Sequence, residues 1–181
     1  MSNAFRVTGG LLMGTVLLAL RLAAQDRGPN AEAVKVAMVV QLVQFVSWPP
    51  AALPAANRPL ELCVLKNDDW FPLLEHAVHG ESVNGRPIKV TRIDKAPEAL
   101  PCHILVIGAT VEVSWLDVLE KLPILTIRGE KTGQSRRAMV TLSTEGGRTR
   151  FSLDVERADR AHLRFSSKLL HLADVALRDL P

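Results

Sequence analysis

Ile104-Leu-Val-Ile-Gly-Ala-Thr-Val-Glu-Val-Ser-Trp-Leu-Asp-Val-Leu-Glu-Lys-Leu-Pro-Ile-Leu-Thr-Ile127 contains a strand, a helix and a strand in succession. Ile104 to Ile107 is an uninterrupted apolar run of the length of a strand buried on both faces, and Ile124 to Ile127 is a second strand-like segment. Between them, Val111 to Lys121 reads as a helix. Upstream, Leu60 to Leu65 reads as a strand, Trp70 to His79 as a helix and Ile88 to Ile93 as a strand. Downstream, Met139 to Leu153 reads as two strands joined through Glu145-Gly146-Gly147, an antiparallel hairpin. This alternation predicts an α/β fold: a single compact domain with a mainly parallel sheet, a C-terminal antiparallel hairpin and helices on the sheet faces.

Before the first strand, nothing interrupts a helix from Ala31 to Trp48, where Val34, Ala37, Met38, Gln41, Leu42 and Phe45 repeat at helical spacing. The opposite side is apolar as well, with Val36, Val39, Val40 and Val43. A helix apolar all round has to be covered on more than one side. A domain of this size has limited interior in which to surround it. We therefore expect Val36, Val39, Val40 or Val43 at a homodimer or partner interface. Pro49-Pro50 ends the helix, and the Ala/Pro-rich stretch to Pro59 is a linker.

At the N-terminus, Arg6 followed by an uncharged run from Leu11 to Leu20 and then Ala23-Ala24 has the layout of a secretory signal peptide. Its apolar run is too short to span a bilayer, although an uncleaved anchor is the alternative. Residues 1–24 are thus expected to be a leader, and residues 25–181 the mature domain, with no transmembrane segment. Two of the charges behind the net +3, Arg6 and Arg21, fall in that leader. The basic pI is therefore no argument for nucleic acid. Arg136-Arg137 and Lys89/Arg92 lack the aromatic interleaving of a nucleic-acid track.

The stretch from Gly146 to Ala173 combines the hairpin turn, a half-buried strand with Thr149, Phe151 and Leu153 on one face, and a short helical turn opened by Asp154. A second helix then starts at Ser166 or Ser167, with Leu169, Leu170, Leu172 and Ala173 as its apolar stripe. The strand ending Arg-x-Arg-Phe-x-Leu-Asp, the basic Ala-containing turn and Leu-Arg-Phe-Ser-Ser-Lys-Leu-Leu-His-Leu-Ala resemble the closing signature of the YfiR-like family. Gln44-Phe-Val-Ser-Trp-Pro49, Val83-Asn-Gly-Arg-Pro-Ile-Lys-Val90 and Pro101-Cys-His-Ile-Leu-Val-Ile-Gly108 fit the same family in the expected order. The chain departs from it at Val40-Gln41-Leu42, where members often have Tyr-Asn-Phe, and at Val140-Thr141-Leu142, where they often have Ile-Asn-Leu.

That family consists of periplasmic repressors of membrane-bound diguanylate cyclases. The resemblance implies a compact α/β domain that is not an enzyme, resides in the periplasm and binds a cyclase's periplasmic sensory domain, with homodimers also expected. Repression would lower cyclic di-GMP and disfavour biofilm growth. The alternative is a periplasmic small-molecule binder reporting to another sensor, such as a histidine kinase. A hydrolase with an unrecognised site is the third reading.

Two cysteines, Cys63 and Cys102, allow a single pairing in an oxidising compartment; two buried thiols are the alternative. Family members commonly carry cysteines in corresponding places, which supports the disulfide. His76 and His79 with Glu75 and Glu81 form a partial metal face that an exposed polar helix also explains, and no metal or other cofactor is expected. Cys102 and His103 are adjacent in a strand and point apart. Gly129-Glu-Lys-Thr-Gly-Gln-Ser lacks the spacing of a phosphate loop. Arg164, Lys168 and His171 lie near a helix start and make a candidate anion or ligand site, with ordinary solvated charges as the alternative. No catalytic constellation is present in the sequence.

Overall fold

The structure, a computed structural model, describes residues 31–111, 119–129 and 138–173. The expected leader, the segment Arg136-Arg137 and most of the helix expected over Val111 to Lys121 lie outside them. So does most of the Gly129–Ser135 turn.

The chain begins with helix α1 (Ala31–Val43), a short strand β1 (Val46–Ser47), a 3-10 turn (Pro50–Ala52) and strand β2 (Leu60–Leu65). Helix α2 (Phe71–Ala77) and strands β3 (Ser82–Val83) and β4 (Arg86–Ile93) follow. A 3-10 turn at Ala96–Ala99 leads to β5 (Ile104–Ile107) and β6 (Leu125–Gly129). The hairpin strands β7 (Val140–Glu145) and β8 (Arg148–Leu153), helix α3 (Val155–Arg160), strand β9 (Arg164–Phe165) and helix α4 (Ser167–Leu172) complete the described part.

Seven strands form one sheet in the order β3-β4-β2-β5-β6-β7-β8. Pairings among β4, β2, β5, β6 and β7 are parallel, and the two edge pairings, β3 with β4 and β7 with β8, are antiparallel. Numbered along the chain, the five parallel strands stand 2-1-3-4-5, a doubly wound order. The expected mainly parallel sheet with a C-terminal hairpin is therefore observed. Its hairpin turns at Gly146 (φ 56) and Gly147 (φ 76), the two left-handed residues that a tight turn between right-twisted strands needs.

Strand alternation divides the core. One face buries Leu62, Val64, Ile104, Val106, Leu125, Ile127, Val140 and Leu142 under α1, α2 and the C-terminal helices. The other buries Cys63, Leu65, Ile93, Leu105 and Ile107 against Ala99, Cys102, Leu119 and Ile124. Because both faces are covered, β5 reads as a continuous apolar run and β2 as one interrupted only by Glu61.

Helix α1 departs from expectation in two respects. It ends at Val43 instead of Trp48, because Val46 and Ser47 leave the helix to pair with Phe165 and Arg164. Its orientation also differs. Val36, Val39, Val40 and Val43, expected at an interface, are 2%, 0%, 4% and 0% exposed and belong to the chain's own core. The doubly wound sheet, α2 and β8 together surround that side, so a domain of this size covers the helix without a second chain. Ala37 and Gln41 face outward, with Val34 and Met38 half-buried.

Candidate functional site

The short β1–β9 ladder joins segments far apart in sequence. Val46 pairs with Phe165 and Ser47 with Arg164, and Ser166 N–H donates to Phe45 O at 2.9 Å. Gln44-Phe45-Val46-Ser47-Trp48-Pro49 and Leu163-Arg-Phe-Ser-Ser-Lys-Leu-Leu-His-Leu172 are thereby built into one unit. Local capping positions its parts. Asp154 Oδ1 accepts Arg157 N–H at 2.8 Å to open α3, and Ser166 Oγ accepts Leu169 N–H at 3.2 Å to open α4. Between these helices, His162 takes a left-handed backbone (φ 59) and turns the chain into β9.

The outer surface of this unit carries Ser47, Arg164, Ser167, Lys168, His171 and Leu172, the last 64% exposed. Leu172, expected in the apolar stripe of its helix, points outward instead, while Leu169 is the residue that α4 buries. Arg164, Lys168 and His171 do not converge on an anion. Arg164 reaches Asp159 at 4.0 Å, Lys168 Nζ stands 5.4 Å from the centre of the Phe45 ring, and His171 Nδ1 lies 2.7 Å from Ser167 O. Each has a separate local partner, so the arrangement can present a mixed basic and apolar surface to a macromolecule.

Beneath this unit, the start of β5 is fastened by three contacts. Trp48 Nε1 donates to His103 O at 3.3 Å, the Glu61 N–H donates to His103 Nδ1 at 3.1 Å, and Cys63 is disulfide-bonded to Cys102 across a Cα separation of 5.9 Å. Cys102 and His103 point apart, as alternation in an extended segment predicts. His76 and His79 are both exposed, and among the described residues no group of three or more His, Cys, Asp or Glu side chains could hold a metal ion.

Burial lowers the His103 pKa from its ordinary 6.5; Glu61 and a hydrogen bond with the Ala52 backbone oppose this, and Arg86 adds to it. The native imidazole thus takes up a proton less readily than the unfolded one. Its contribution to stability is complete above pH 6.5 and is lost as pH falls through the lowered native value. Protonation would also remove the Nδ1 acceptor from the Glu61 N–H. Urea titrations are expected to show stability falling on the acid side of 6.5, with a smaller fall in His103→Gln. Equal pH profiles for the two proteins would exclude His103 as the cause.

Sequence patterns located the cysteines and both caps, but not the β1–β9 ladder. Its strands have two residues each, too few for a periodic signal. The model of one protein family, described as YfiR/HmsC-like, matches residues 32–174. No curated protein matches the chain.

Proposed function

Because the chain belongs to the YfiR/HmsC-like family, we propose that it is a periplasmic negative regulator that binds the periplasmic sensory domain of an inner-membrane diguanylate cyclase and represses cyclic di-GMP synthesis. Family membership is the observation that carries this reading, since the match takes in nearly the whole described chain. The Cys63–Cys102 bond suits an oxidising compartment, and among the described residues no helix is long and apolar enough to cross a membrane.

The regulator acts by linkage. It binds the inactive state of the cyclase more tightly than the active one and shifts the population by that difference in affinity. The surface we assign to the cyclase is the β1–β9 and α4 unit, where Arg164, Lys168 and the exposed Leu172 stand together. A homodimer belongs to the same proposal. With the four valines buried, its contact would use the outer side of α1 around Ala37 and Gln41.

Deleting the gene is expected to raise cellular cyclic di-GMP, and only an exported copy should restore the level. Capture of the native protein from detergent-solubilised membranes should recover a protein with a cytoplasmic cyclase domain. Equal cyclic di-GMP in deletion and parent strains, with the cyclase shown to be expressed, would overturn the proposal.

A further inference from the structure

Strand alternation gives the sheet one uniformly apolar face, which carries Leu125, Ile127, Val140 and Leu142 in β6 and β7. The opposite face changes character partway across. In β2 and β5 it is apolar, through Cys63, Leu65, Leu105 and Ile107. From β6 onward it is polar. Register sets Ile107 beside Arg128, Arg128 beside Thr141 and Thr141 beside Ser152 in one row across four strands. On the same face, Thr126 stands two residues before Arg128, and Ser143 two residues after Thr141.

These polar residues are not at an open surface. Thr126, Arg128 and Thr141 are only 5%, 4% and 6% exposed. Thr126 is satisfied, since its Oγ1 accepts the Met139 N–H at 3.0 Å. Arg128 is not. Its Nη2 donates to Ala109 O at 2.9 Å, while Nε and Nη1 are buried without a hydrogen-bond partner. An unused donor therefore remains on each edge of the guanidinium fork, and among the described residues no carboxylate is paired with it. Burial lowers its pKa, with no opposing charge to raise it.

Arg157 is treated differently. Its side chain is 14% exposed, and it meets Asp154 through Nε at 3.3 Å and Glu120 through Nη1 at 3.0 Å. A buried charge with unmade hydrogen bonds is strongly unfavourable unless an opposite charge meets it. Arg128 thus holds out both charge and donors to an acceptor that the described chain does not supply.

We infer that the polar face of β6 and β7 binds a small oxyanion, a carboxylate or a phosphate, with the Arg128 guanidinium as its anchor and the Thr141 hydroxyl beside it. The planar fork suits either group, because both present paired oxygens to parallel N–H donors. A neighbouring hydroxyl adds a neutral donor without further charge. The inference goes beyond the proposed regulation of a cyclase and does not depend on it.

The native protein, labelled with nitrogen-15 and dialysed into a buffer free of oxyanions, supplies its own probe and control. The Arg128 Nε–H is the buried donor without a partner, and the Arg157 Nε–H is held by Asp154. Sodium acetate and, separately, sodium phosphate are titrated to about 10 mM, against sodium chloride at equal ionic strength. At least one of the two oxyanions should shift the Arg128 resonance saturably, leave Arg157 in place and raise the melting temperature. The anion that does so identifies the class. Arg128→Lys assigns the resonance and, keeping the charge without the fork, should weaken binding at least about tenfold as read from the melting shift. Thr141→Val, which exchanges the hydroxyl for a methyl group, should weaken it about threefold. Circular dichroism checks that both variants fold. No saturable Arg128 shift with either oxyanion overturns the inference. So does an equal response to chloride, or unchanged affinity in either folded variant.

Discussion

Val39→Asp is expected to abolish the native fold. Val39 is fully buried on the inner side of α1, in the cluster that includes Leu62, Val106, Ile127 and Leu142 from the sheet. A carboxylate there would lose its hydration without a partner, at a cost of several kcal/mol, and the removed isopropyl group takes its packing with it. Domains of this kind hold only about 5–15 kcal/mol in total, so the substitution consumes most or all of the margin. Circular dichroism should show loss of the cooperative thermal transition, and light scattering should show no folded monomer. A well-folded monomeric variant from a dimeric parent would mean instead that Val39 faces another chain. Gln41→Asp, on the outer side of the same helix, should leave the transition nearly unchanged.

Removing the disulfide is expected to have the next largest effect. Cys63 and Cys102 are 39 residues apart in sequence, and closing a loop of that length restricts the unfolded chain by about 4 kcal/mol on the chain-entropy account. Because the bond ties the middle of β2 to the approach of β5, losing it also frees the Glu98–Cys102 turn that leads into the sheet. For a domain of this size, Cys63→Ala/Cys102→Ala should lower the melting temperature by roughly 10 °C. Scanning calorimetry of the parent with and without reductant provides the comparison: the reduced parent should melt near the double variant. Identical melting of oxidised parent and double variant would show that the bond contributes no net stability. Free thiols in the purified native protein would show that it is not formed at all.

Several elements follow from short-range physics and were legible in the sequence. Leu60–Leu65 and Ile104–Ile107 are strands where their apolar runs predict them, and the paired glycines make the hairpin turn. Asp154 and Ser166 cap helices because a carboxylate or hydroxyl oxygen can reach an amide three residues on. Other features depend on partners that no local window contains. The helical pattern from Val34 to Phe45 was compatible with either side of α1 facing inward, since both sides are apolar. Packing against α2 and the sheet chose the valine side and left Ala37 and Gln41 outside.

The candidate site divides in the same way. Each of its two signature segments is visible alone, but their meeting in the β1–β9 ladder brings together residues more than a hundred positions apart. By itself, then, the sequence determined the α/β class, the positions of the central strands, the hairpin and the caps, because dihedral preference, alternation and capping act within a few residues. Tertiary structure alone decided the strand order, the buried side of α1 and the β1–β9 ladder, because these depend on which distant segments exclude water from one another.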